Sequence, residues 1–239
     1  MISFSYDGSC FTGFQKQDGL KTVQGVIEEY LSSLEGKPVS LVASGRTDKG
    51  VHARGQCAHF DLDTKVTTYG LKKYLNRSFN GEIYIFSVTG ISDSFHARYD
   101  VKEKTYSYYI NMGEYNPIMR NYIYQYNKEL DIDSMKKASL CLIGEHDFRS
   151  FCTDSKDKDN CVRNIYSISF EEKDNILKIT FKGNGFLRKM IRNIVAILIE
   201  IGSGKKDVSY MKEVLLKKKR NGNLKCAFSG GLYLERVDY

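Results

Sequence analysis

Ile2, Phe4 and Tyr6 alternate with Ser3 and Ser5, the period-two signature of a strand with one covered face, and Asp7-Gly8 follows as a turn. Thr22 then stands where a helix N-cap belongs. Val23, Val26, Ile27, Tyr30, Leu31 and Leu34 recur behind it at helical spacing, and Gly36 is suited to stop the helix. Val39, Leu41 and Ala43 alternate as a second strand, and Ala58, Phe60 and Leu62 as a third. A helix is predicted over Leu71 to Ser78 and a short apolar strand over Glu82 to Val88.

The second half is patterned in the same style. Thr105 to Asn111 reads as a strand with Tyr106, Tyr108 and Ile110 on one face. Asp131 or Asp133 can cap a helix through Met135, Ala138 and Leu142, stopped by Gly144. Ile165 to Phe170 and Ile176 to Phe181 form an antiparallel pair across Lys173-Asp174-Asn175. Phe186 to Ile201 carries the strongest helical stripe, a further helix covers Val208 to Lys218, and Gly231 to Asp238 closes as a strand. Strands and helices interleave while the pairings look antiparallel. The expected class is α+β, with an N-terminal half over 1–100 and a C-terminal half over 101–239, each a sheet backed by helices.

The 239 residues are 41% apolar and 27% charged, a globular mixture that excludes wholesale disorder, collagen and coiled coil. Thirty-six basic against 29 acidic side chains leave +7, and 17 tyrosines accompany that excess. Cations neutralise phosphates and aromatic faces stack on bases, so a polyanionic partner enters the picture. The polar stretch Thr153 to Asn160 is expected as a solvated loop, and Lys217 to Arg220 as a basic helix end that suits the helix dipole. Six cysteines show no C-x-x-C pair, and the opening Met1 to Asp7 has no basic or apolar leader pattern. Reduced thiols in a soluble, cytoplasmic protein are expected, with no membrane partner.

The segment Ser44 to Gln56, SGRTDKGVHARGQ, concentrates chemistry. It holds three glycines, three cations, a histidine and a single acid, Asp48. Phosphate-binding loops avoid carboxylates, so an acid among cations suits chemistry on a nucleotide whose backbone the cations hold. A neighbouring guanidinium favours the charged form of a carboxylate, which makes Asp48 a candidate nucleophile. Other motifs fail. Gly202-Ser203-Gly204-Lys205 is followed by Lys206 where a phosphate-binding loop needs Ser or Thr, and His52, His59, His96 and His146 form no metal-ligand spacing. Chemistry without metal or cofactor is expected.

GRTDKGVHARGQ, Gly45 to Gln56, resembles the signature of the tRNA pseudouridine synthase A family, and the likeness extends along the chain. FSYDGSCFTGFQKQ, Phe4 to Gln17, resembles the family's first block, with Phe14 where a Trp is common. FHARYDVKEKTYSYYI (Phe95 to Ile110), GEHDFRSF (Gly144 to Phe151), GNGFLRKMIRNIV (Gly183 to Val195) and GLYLERVDY (Gly231 to Tyr239) resemble later blocks in the family's order.

The resemblance implies isomerisation of uridine to pseudouridine at positions 38, 39 and 40 of the tRNA anticodon stem-loop. It implies a pseudouridine synthase fold of two similar RRM-like halves whose antiparallel sheets join into one central sheet. It further implies a homodimer working without metal or cofactor. Asp48 corresponds to the family's catalytic Asp, and Tyr106 to the Tyr that stacks on the target uracil and is a candidate for moving the C5 proton. Arg46 corresponds to the Arg associated with base flipping, and Arg192 to the Arg that pairs with the catalytic Asp. Three other functions stay open at the level of residues. A non-catalytic RNA binder has no use for Asp48, a paralogue acting on another RNA would share the loop, and a glycosidase would show two cooperating carboxylates.

Overall fold

A computed structural model describes residues 1–153, 160–219 and 226–239. Most of the expected polar loop and Arg220 of the basic run lie outside the described residues. The chain divides into two compact units, Met1–Lys102 with Tyr233–Tyr239, and Glu103–Leu232. The last strand was expected with the C-terminal half; it belongs to the first unit.

The first unit opens with β1 (Ile2–Tyr6), whose alternate residues Ile2, Phe4 and Tyr6 are buried. Helix α1 (Val23–Glu35) starts where Thr22 Oγ1 accepts from the Gly25 N–H and stops at Gly36, whose φ of 75° needs no Cβ. Buried Val23, Ile27 and Leu31 form its inner stripe. Strand β2 is only Val42–Ala43, shorter than the alternation suggested. Side chains of α1 take the donors that a ladder would need: Val39 N–H bonds Ser32 Oγ at 2.9 Å and Leu41 N–H bonds the buried Glu28 carboxylate at 2.9 Å. Strand β3 is His52–His59, not Ala58 to Leu62. Its register against β1, with Phe4 opposite Gln56 and Ile2 opposite Ala58, runs out where β1 begins, so Phe60 and Leu62 have no partner strand there. Helix α2 (Thr68–Ser78) and β4 (Ile83–Val88) complete this part of the chain, with α2 packed on β4.

The second unit carries β5 (Glu103–Asn111), β6 (Tyr124–Gln125) and α3 (Ile132–Ser139), which Asp131 caps through the Ser134 N–H at 2.9 Å. A single 3-10 turn, Leu140–Leu142, ends α3, and Gly144 opens β7 (Gly144–Asp147) instead of stopping the helix. β8 (Val162–Lys173) and β9 (Ile176–Gly183) form the expected hairpin. Asp174 and Asn175 both adopt left-handed φ, 54° and 60°, the geometry a two-residue hairpin turn requires. Helix α4 (Met190–Gly202) begins four residues later than its apolar stripe suggested, because Lys189 has φ of 62° and breaks the helical run. Helix α5 (Ser209–Lys217) follows, and β10 (Leu232–Asp238) returns to the first unit.

Within the first unit the strand order is β4-β1-β3-β10, with β2 on β3. Within the second it is β5-β9-β8-β7, with β6 on β5. The strand pairing is not purely antiparallel as expected: β10 runs parallel to β3 with Tyr233 opposite His52, and β6 runs parallel to β5. No helix among the described residues is long and apolar enough to cross a membrane. All six cysteines are free thiols.

Candidate active site

The loop between β2 and β3 carries Arg46 and Asp48, and the residues around them hold it in place. At its base Ser44 N–H bonds the Cys57 carbonyl at 2.8 Å. Gln56, fully buried on β3, accepts from Ser44 Oγ at 2.7 Å and from the Cys57 N–H at 3.2 Å, and donates to the Gly45 carbonyl at 3.1 Å. A buried amide with this many partners is satisfied on both ends, so it fixes the loop's exit direction.

One residue before Asp48, Thr47 is held from two sides. Its hydroxyl lies 2.8 Å from the Tyr6 hydroxyl, and its carbonyl accepts from the Phe14 N–H at 3.1 Å. Tyr6 is buried, and that burial pushes its pKa up to about 12, so it stays a neutral hydrogen-bonding group. After Asp48 the chain turns: Val51 N–H bonds the Asp48 carbonyl at 3.1 Å and Gly50 takes φ of 78°. Two glycines of the first block let the chain lie against this turn. A Cβ on Gly8 would sit 2.1 Å from the Val51 carbonyl oxygen, and one on Gly13 (φ 105°) would sit 3.3 Å from Lys49 N. Arg46 and Lys49 are exposed and Asp48 is half-buried, so the loop presents two cations and the carboxylate from a fixed frame.

His52 belongs to that frame. Its Nδ1 accepts from the Gly8 N–H at 3.0 Å and lies 3.3 Å from an Asp7 oxygen, while its ring stacks on Tyr233 at 4.7 Å between centroids. Held by Gly8, Asp7 and Tyr233, this imidazole is a structural part of the frame. Arg54, two residues on, sits 4.5 Å over the same Tyr233 ring and pairs with Glu235 at 2.9 Å.

The second unit holds the other two expected residues. Tyr106 on β5 is 8% exposed, and the Phe186 ring meets it edge-on at 5.4 Å. Phe186 lies in the non-helical stretch before α4. Arg192, in the first turn of α4, is half-buried and donates from Nε to the Ala227 carbonyl at 2.9 Å. Thus Arg46 and Asp48 share one loop of the first unit, while Tyr106 and Arg192 belong to the second. Tyr6, Gln56 and Phe186 were not singled out from the sequence. Their only sequence signal is that each lies inside one of the family-like blocks.

Comparison with known proteins bears on the whole chain. A sequence profile described as "tRNA pseudouridine synthase" matches residues 2–100 and 138–239, which include Arg46, Asp48 and Arg192 but not Tyr106. The pseudouridine synthases are thus the class that fold and motif loop define, and the chain belongs to the tRNA pseudouridine synthase family. It is 41% identical over 240 residues to a Bacillus cereus protein named tRNA pseudouridine synthase A 2, covering 100% of this chain and 98% of that one. It is 44% identical over 239 residues to a Listeria monocytogenes protein named tRNA pseudouridine synthase A, covering 98% and 96%. A Listeria welshimeri protein of the same name is likewise 44% identical over 239 residues, with the same coverage of 98% and 96%.

Proposed function

We propose that this chain isomerises uridine to pseudouridine at positions 38, 39 and 40 of the tRNA anticodon stem-loop, with Asp48 as nucleophile. The observation that carries this is the loop itself. A half-buried carboxylate stands between two exposed cations on a turn clamped by Tyr6, Gln56 and Gly13. Cations draw the phosphates in, and the carboxylate meets the nucleotide they deliver.

A base in a stem must leave its stack before its glycosidic bond can be handled, which costs a few kcal/mol. Arg46 assists that flip from the rim, and Tyr106 returns ~1–3 kcal/mol by stacking on the extruded uracil. Asp48, aimed by Arg192, attacks C1′ or C6 as the C1′–N1 bond breaks. The uracil turns, C5 bonds to C1′, and the bond from Asp48 breaks, which frees its carboxylate. The C5 proton then leaves through a base for which Tyr106 is the candidate, and N1 takes up a proton. Atoms and charge balance without any co-reactant, as an isomerisation requires. The protein works as a homodimer in the cytoplasm, and its substrate is tRNA.

The test is to map pseudouridine in tRNA from cells with and without the gene. Loss confined to positions 38–40 supports the proposal, and unchanged tRNA with loss in another RNA replaces the substrate. Light scattering of the purified protein tests the homodimer.

A further inference from the structure

In the second unit, one short stretch of backbone touches both the helix that bears Arg192 and the strand that bears Tyr106. Ala227 accepts from Arg192 Nε at 2.9 Å and donates its N–H to the Arg192 carbonyl at 3.1 Å, so the two residues are tied twice. Next to it, the Cys226 thiol donates to Asn193 Oδ1 at 2.7 Å, and Asn193 Nδ2 donates to the Phe151 carbonyl at 2.7 Å. On the other side the Tyr108 hydroxyl donates to the Phe228 carbonyl at 2.7 Å. Tyr108 is 0% exposed, and burial raises its pKa well above the ordinary value while the Arg192 charge pulls the other way.

The glycines that follow make the fit possible. A Cβ on Gly231 would meet Tyr108 Cζ at 2.9 Å, and one on Gly230 would meet the Asn121 carbonyl oxygen at 2.2 Å. The stretch therefore lies directly on the Tyr108 ring. The Tyr108 ring is fully buried, so its hydroxyl has the Phe228 carbonyl as the partner within reach and holds that carbonyl in place.

We infer that residues 226–231 form a positioning strap for Arg192, and that Tyr108, through the Phe228 carbonyl, is a positioning residue for the reaction. This rests on the proposed role of Arg192. Tyr108 touches no reacting atom; it sets where Ala227 stands, and Ala227 sets the plane of the guanidinium. A guanidinium that pairs with a carboxylate works in one plane, so a tilt of the strap degrades the pair without removing either charge.

Tyr108→Phe keeps the ring and removes only the hydroxyl. The expected result is a kcat about tenfold lower with KM for tRNA within about twofold, because misaiming acts on the chemical step more than on RNA binding. Amide exchange at Ala227 should quicken in the same protein. Combined with Arg192→Lys, which deletes the Nε donor, Tyr108→Phe should add no further loss, since both act through one contact. Wild-type kcat in Tyr108→Phe, or losses that multiply in the double variant, would overturn the strap. Should Tyr108→Phe fail to fold, Cys226→Ala removes the strap's neighbouring tie, and an unchanged kcat there overturns it too. If Arg192→Lys alone turns over at the wild-type rate, the fault lies in the role given to Arg192.

Discussion

The Tyr6 hydroxyl stands 2.8 Å from the Thr47 hydroxyl, so a residue of the first strand bears directly on the residue before Asp48. This contact joins the core of the first unit to its candidate catalytic loop.

Tyr6→Phe should lower turnover several-fold and cost about 1 kcal/mol of stability, the usual value of a buried hydrogen bond. It should also change the alkaline limb of the stability profile. Tyr6 has a pKa raised to about 12 in the folded protein, above the value of 10.0 for an unperturbed tyrosine. A raised folded pKa means the unfolded chain loses its proton first. The contribution is whole below pH 10 and is lost as pH climbs towards 12. Urea unfolding between about pH 9 and pH 11 should show a shallower alkaline loss in Tyr6→Phe than in the wild type; parallel profiles would count against it.

Asp48→Asn keeps the shape of the side chain and removes its charge. No pseudouridine should form in a purified reaction, while tRNA binding is retained or tightened because carboxylate–phosphate repulsion is relieved. Turnover near wild type in this variant would remove Asp48 from the nucleophile's role.

Binding of tRNA should weaken steeply with salt. Each phosphate neutralised adds about −0.7 to −0.9 to the slope of log K against log salt. Arg46→Gln and Lys49→Gln, at the exposed rim of the loop, should each flatten that slope, as read by titration at several salt concentrations. A flat dependence in the wild type would contradict a cationic contact surface.

Gly13→Ala tests the clamp on the loop. Its φ of 105° disfavours any Cβ, and the added carbon would press on Lys49 N at 3.3 Å. Turnover should fall by about tenfold or more while the far strands keep their protection in hydrogen exchange, since the strain is local to the loop. Wild-type turnover would mean that the loop relaxes freely.

Much of the architecture was legible because it is set locally. The Thr22 cap, the Gly36 stop and the Asp174-Asn175 turn are decided by residues a few positions apart. What escaped the sequence is decided at a distance. β2 stops short because Glu28 and Ser32 of α1 capture the donors ahead of it, and β3 starts early because Ala53 pairs with Tyr6 and His52 with Tyr233, while the buried Gln56 interrupts the apolar alternation that would have revealed the strand. The late start of α4 turns on one left-handed lysine that no hydrophobic period reveals. The site divides in the same way. Arg46 and Asp48 announce themselves as charges in a glycine-rich loop, whereas Tyr6, Gln56 and Tyr108 look like ordinary strand residues until their partners, up to 120 positions away, are known.

The parallel pairing of β10 with β3 also sets an order of events during synthesis. Tyr233, against which His52 stacks, follows the earlier part of its own unit only after Glu103–Leu232 has been made. At about 5–20 residues per second, those 130 or so residues occupy the ribosome for roughly 7 to 26 s. Throughout that interval the His52–Ala53 end of β3, next to the Asp48 loop, lacks the partner that β10 supplies, and the first unit gains its last strand only when the second unit can already have folded. A chain cut short before Tyr233 would thus carry every residue of the candidate catalytic loop and still lack the strand that backs it.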